Sequence, residues 1–325
     1  MPLTEKDKLP TEITYDDYYL DSLNDLTPTK PETKPNDVTL EPGLDPHAEP
    51  VAPAEPNKFT PQWWGDFELD EYQVGRWNVG PTTLSIYRLP REWRLVYSQG
   101  DDPLDTTLDI DVPAEVEPID IDDNVRRYMF NQTQSTVTVT PVLADRPLVV
   151  RPAIPFAIET HEEITLYVSL PLWLRISVAG VGKHLYEVPS YRPSDTWFGG
   201  STVKGELCYA ARTPGQLNVD ELPKRPYRVI APIVLRNRDA GSLILDRIKI
   251  PVQYLALYRT KDTNEFWTQR IILEQRNKRT RLQLGWGSPQ ETGKTERIIG
   301  ARERARRGLD IGAFGGIFKN TKGTD

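Results

Sequence analysis

The densest set of side chains able to do chemistry lies between Val188 and Arg212, where Tyr191, Arg192, Asp195, Trp197 and Phe198 fall within eight residues. Aromatic rings beside arginine and aspartate have the composition of interface hot spots, and carbohydrate sites use the same residue types. One reading is a loop that presents a specific contact. The other is a long crossover in which Trp197 and Phe198 plug a gap between two β units while Arg192 pairs with Asp195. Composition leaves both open. Catalysis is harder to build here. Ser190, His184 and Asp195 could be drawn as a triad, but a triad is geometry without fixed spacing, and no Gly-x-Ser-x-Gly elbow is present. Cys208 sits in the alternating run Glu206-Leu-Cys-Tyr-Ala-Ala211, which favours a buried, inert thiol over a nucleophile.

Cofactor chemistry fares no better. His47, His161 and His184 are scattered, and the single cysteine excludes an intrachain disulfide, a cysteine zinc site or an iron–sulfur cluster built by this chain alone. Gly287-Ser-Pro-Gln-Glu-Thr-Gly-Lys-Thr295 ends like a phosphate-binding loop. However, five residues separate Gly287 from Gly293 where four are needed, and Pro289 removes a backbone donor. The expectation is no cofactor, no metal and no enzymatic activity.

The elements that must carry these residues are strands. Tyr72–Val79, Thr83–Arg88 and Glu92–Ser98 alternate as a three-stranded antiparallel meander, and Gly100–Asp123, with ten acids and no base, reads as an exposed acidic loop. Thr136–Thr140, Pro147–Arg151, Ile164–Ser169 and Trp173–Val178 form a first block with turn signals at roughly 8–12 residue spacing, as in β-sandwiches. A second block follows in Arg228–Arg236, Ser242–Ile250, Val252–Tyr258 and Glu265–Leu273.

The two ends differ from this body. Residues 1–57 hold 13 acids, 4 bases and ten prolines, too little apolar surface to offset the entropy of ordering a chain. Within them Tyr15, Tyr18 and Tyr19, interleaved with acids, suit a docking segment that folds on a partner; a merely solvated tail is the plainer alternative. From Gln275 onward there are 12 bases and 5 acids. Thr295–Arg307 has helix-forming spacing with a thin apolar stripe, so one short helix is expected there, carrying Arg304, Arg306 and Arg307. Phe314 and Phe318 follow among glycines, apolar enough to need a docking place. This basic segment suits an acidic partner or a second copy, an anionic membrane surface, or nucleic acid, the last disfavoured by the overall charge of -7.

Gly75-Arg-Trp-Asn-Val-Gly-Pro81, Glu92-Trp-Arg-Leu95, Pro171-Leu-Trp-Leu-Arg175, Pro189-Ser-Tyr-Arg-Pro-Ser-Asp-Thr-Trp-Phe-Gly199, Gly205-Glu-Leu-Cys-Tyr-Ala210 and Pro232–Asn237 resemble the domain of unknown function 432 family over about 70–275. Its members occur in archaea and bacteria, often encoded near small-conductance mechanosensitive channels. The resemblance implies an accessory role beside a membrane channel and carries over no catalytic residues.

Together these readings predict an all-β protein: a tail at 1–57, a meander plus acidic loop at 58–123, sandwich units at 124–212 and 213–275, and a basic tail with one helix at 276–325. The expected function is a non-enzymatic interaction protein on a larger assembly. The alternatives are a small-molecule or carbohydrate module, or an enzyme, using Tyr191, Asp195, Trp197 and Arg212, and nucleic-acid binding through the basic segment. With no N-terminal signal pattern and no 18-residue apolar run, the expected location is cytoplasmic, with peripheral contact at the inner membrane face open to the basic tail.

Overall fold

A computed structural model describes residues 62–116, 124–152, 155–199, 205–211, 215–277, 279–304 and 318–319, all within the unit Lys58–Asp325. The expectations for 1–57, including Tyr15, Tyr18 and Tyr19, lie outside these residues, as do Arg212, Arg306, Arg307 and Phe314. The protein is all-β. Among the described residues there are three single-turn 3-10 helices and no α-helix, and no helix is long and apolar enough to cross a membrane.

Strict alternation makes the first sheet. After β1 (Gly65–Glu68), strands β2 (Val74–Val79), β3 (Thr82–Leu89) and β4 (Glu92–Gln99) pair in sequence, and β3 buries every second residue. The acidic stretch is only partly a loop, which corrects the expectation: Leu108–Ala114 is β5, paired antiparallel with β2. Asp109 and Asp111 point to solvent while Leu108 and Ile110 pack inward, so charge density is no obstacle to a half-buried strand. With β6 (Val125–Met129) on β4, the order is β5-β2-β3-β4-β6.

The next strands are β7 (Thr136–Val142), β8 (Leu148–Val150), β9 (Phe156–Ile158), β10 (Glu163–Pro171), β11 (Trp173–Val178), β12 (Tyr186–Pro189), β13 (Ser194–Phe198) and β14 (Glu206–Ala211). The rest are β15 (Arg228–Asn237), β16 (Leu243–Leu245), β17 (Ile248–Ile250), β18 (Leu257–Thr260), β19 (Phe266–Thr268), β20 (Ile271–Arg276), β21 (Arg279–Leu284), β22 (Thr295–Ile299) and β23 (Phe318–Lys319). They form sheets of order β1-β7-β11-β12, β13-β14-β8-β17 and β23-β16-β9, and the largest, β21-β20-β15-β19-β18-β22, with β10 also on β15.

The division at 212/213 does not hold. β10 pairs with β15, β8 with both β14 and β17, and β9 with β16, so strands of both expected units share three sheets. The boundary at 275/276 fails similarly, because β20 runs across it and β21 continues the same sheet. Nor are the described residues 295–304 of the expected helix helical: β22 occupies Thr295–Ile299, paired with β18. An isolated helix with so thin an apolar stripe gains little, whereas the β18 edge supplies a ladder of backbone partners.

One buried cluster runs through all these sheets, from Trp77 and Leu84 through Val139, Leu174 and Ile233 to Leu273. The N-terminal meander and the segments flanking it are locked to it by hydrogen bonds: Thr82 Oγ1 donates to the Pro189 carbonyl at 2.8 Å, Trp63 Nε1 to Pro226 at 2.9 Å, and the Tyr227 hydroxyl to Asp105. Gly80, at φ +58°, makes the close approach possible, since a Cβ there would lie 2.7 Å from the Tyr227 ring. Pro232 lies in the middle of β15, where proline is normally barred. Opposite it, Tyr167 exchanges its own backbone bonds with Gln216 at 2.8 and 3.0 Å. The missing Pro232 donor therefore falls on the other side, in the gap where β15 changes partner from β19 to β20.

Candidate functional site

The Tyr191–Phe198 segment is a strand edge more than a loop. β13 pairs antiparallel with β14 and is the outer strand of its sheet. Its period of two sorts the candidates to opposite sides. Asp195 and Trp197 face out, with Trp197 49% exposed, whereas Phe198 is 1% exposed. Phe198 is thus corrected from contact residue to core: Arg247 and Lys249 lie over its ring at 5.2 and 5.5 Å. Lys249, itself 3% exposed, pairs with Glu206 at 2.5 Å.

The outward face is organised by residues that composition did not single out. Tyr209 of β14 stands opposite Asp195. Its hydroxyl donates to Asp145 at 3.0 Å, its ring packs on Trp173 with centroids 5.6 Å apart, and Arg146 lies over it at 5.3 Å. Burial first, then the Asp145 carboxylate, pushes the Tyr209 phenol up to about 12, so it is a fixed donor at neutral pH. Arg146 Nη1 reaches Asp195 at 3.3 Å, and Arg192 Nη2 stands 4.0 Å from the other Asp195 oxygen. Arg192 does pair with Asp195, though more loosely than Arg146 does. Tyr191 is half-buried at the start of the segment. Asp145-Arg146 reads in sequence as a turn, and no local signal ties it to Asp195.

The catalytic alternatives disperse. Ser190 is buried and its hydroxyl donates to the Tyr227 carbonyl at 3.2 Å; His184 Nε2 lies 3.6 Å from Glu187; Asp195 is held by Arg146. Cys208 is buried, and burial followed by the neighbouring Glu206 charge pushes its thiol up to about 11. Among the described residues no group of three or more His, Cys, Asp or Glu could hold a metal ion. After Gly293 the chain enters β22 instead of a helix, so the Gly-Lys-Thr sequence makes no phosphate cradle. A cavity of about 390 Å³ does form, but Arg175, Leu255, Ile299 and Arg302 are among its walls, not Tyr191, Asp195 or Trp197.

The basic C-terminal candidates separate too. Arg304 is exposed, and the backbone of Phe318 pairs with Leu245 in the β23–β16 ladder. Arg276-Asn-Lys-Arg-Thr-Arg281 spans the connection between β20 and β21, where Arg276, Arg279 and Arg281 are exposed.

Against known families, residues 63–317 match the model described as protein of unknown function, DUF432. The chain belongs to the DUF432 family. No curated protein and no solved structure matches it. The DUF432 region reaches beyond the expected 70–275 at both ends. It takes in β1, β21, β22 and the exposed Arg304, along with the whole β13–β14 face.

Proposed function

We propose that this DUF432 protein is a non-enzymatic docking protein that engages a larger protein assembly through the outer face of β13. The observation that carries this reading is Trp197, half-exposed on an edge strand, with Arg146, Asp195 and Arg192 forming a polar rim beside it. A large apolar anchor within a charged rim is how interface hot spots are built, and an outer strand adds unpaired backbone groups for a partner. The family resemblance makes a small-conductance mechanosensitive channel the leading partner. A cytoplasmic place, peripheral at the inner face of the membrane and within an oligomeric complex, belongs to the same proposal, with the basic C-terminal residues and the Tyr15–Tyr19 segment as further latches.

The test is affinity purification of the tagged full chain from native membranes in mild detergent, with mass spectrometry of what accompanies it. The same partner should be retained by wild type and by Trp286→Ala, which removes a more exposed tryptophan lying after β21 and outside β13, and lost with Trp197→Ala. Recovery of the wild type solely as a soluble monomer, or equal retention by Trp197→Ala, would sink the reading.

A further inference from the structure

A separate cavity, remote in its walls from β13, carries an inference independent of the docking reading. It lies where the end of β7, Arg175 of β11, Leu255 before β18 and the chain just after β22 converge, and it measures about 390 Å³. That is within the range of small-ligand sites, which are mostly apolar with a few fixed polar groups. Val142, Leu255 and Ile299 supply apolar wall, and Arg175 and Arg302 supply charge.

The ion balance there is uneven. Glu187 accepts from Arg175 Nε at 2.7 Å and from Arg302 Nη2 at 2.6 Å. Arg302 is further held by the Leu143 carbonyl, which accepts from its Nε at 2.8 Å. Arg302 is thus committed to the protein, while Arg175 donates, among the described residues, only from Nε. His184 adds positive charge beside Glu187 when protonated. Two guanidiniums therefore share a single carboxylate. Surplus positive charge at a partly desolvated site is costly unless an anion offsets it, and the guanidinium fork matches carboxylate and phosphate oxygens.

We infer that this cavity binds a small organic anion, its charged group held by Arg175 at the Arg175–Glu187–Arg302 cluster and its apolar body against Leu255 and Ile299. Ligand-observed NMR titration of the full chain with hexanoate and with 1-hexanol tests it. Hexanoate should bind saturably, at least about tenfold more tightly than the neutral alcohol, and Arg175→Gln should weaken it by at least about tenfold. Ile299→Trp, which fills the cavity while keeping Arg175, Glu187 and Arg302 in the chain, should abolish binding and serves if Arg175→Gln does not fold. Absence of saturable hexanoate binding, equal binding of the two probes, or an Arg175→Gln protein that folds and binds as wild type would each overturn it.

Discussion

Asp195 on the outer strand β13 lies 3.3 Å from Arg146 Nη1, a residue 49 positions earlier in the chain. The pairing exists because β14 joins β13 on one side and β8 in parallel on the other, which brings the Asp145-Arg146 turn alongside. The charged rim around Trp197 is therefore built by sheet order.

The two aromatic neighbours on β13 should respond oppositely to truncation. Phe198→Ala removes a buried ring from beneath Arg247 and Lys249 and should cost about 3–5 kcal/mol. Trp197→Ala, half-exposed, should cost less than about 1 kcal/mol while weakening partner retention. Urea denaturation of both variants checks this; equal costs would place Trp197 in the core as well.

Glu92 should give the fold an acid-sensitive component. Hydrogen bonds from Arg127 and then Arg94, with Nε distances of 2.6 and 2.7 Å, hold its carboxyl at about 2 against an ordinary 4.5. The folded value is the depressed one, so the stabilisation is present above about pH 4.5 and is lost as pH falls toward 2. Arg127 and Arg94 are 59% and 34% exposed, so solvent screening limits the effect to about 1–2 kcal/mol. Glu92→Gln should be less stable than wild type at pH 7, and the gap should narrow sharply by pH 2.5; a gap independent of pH would argue against it.

Arg302 should tie the chain after β22 to the body. It joins the Leu143 carbonyl and Glu187, whose carboxyl burial would raise but which Arg302 and Arg175 bring below the ordinary carboxylate value. Arg302→Ala leaves Glu187 with one guanidinium fewer and should cost about 2–4 kcal/mol, read by thermal unfolding. Limited proteolysis should cut earlier after Ile299 in that variant. An unchanged melting temperature would show the cluster to be ornamental for stability.

Cys208 should behave as core. With its thiol buried and pushed up to about 11, maleimide labelling at pH 8 should be at least about a hundredfold slower in the native protein than in urea. Fast native labelling would mean that the β14 region opens readily.

Strand period was legible wherever one face of a strand is apolar and the other polar, as in β2, β3, β4, β7 and β11. It failed at β5 because ten acids obscured the alternation of Leu108 and Ile110 with Asp109 and Asp111. At β22 it failed because Thr295-Glu-Arg-Ile-Ile also satisfies helix propensity, and only the waiting edge of β18 decides between the two. The candidate contact was legible as composition in Tyr191, Arg192, Asp195 and Trp197. Its partners Arg146 and Tyr209 were not, since nothing local links a turn to a strand two positions away in sheet order.

By itself the amino-acid sequence determined the all-β class, through alternation, and an isolated thiol, through a single cysteine. It did not show that Ser194–Phe198 is a strand, with Asp195 and Trp197 on one side and Phe198 on the other; composition read there as a loop. Only the tertiary structure decided which side meets solvent, and that β8 serves β14 and β17 together, merging the two expected units into shared sheets. The physical reason is that side-chain period is a property of neighbouring residues, whereas burial and strand partners depend on contacts between segments far apart in the chain.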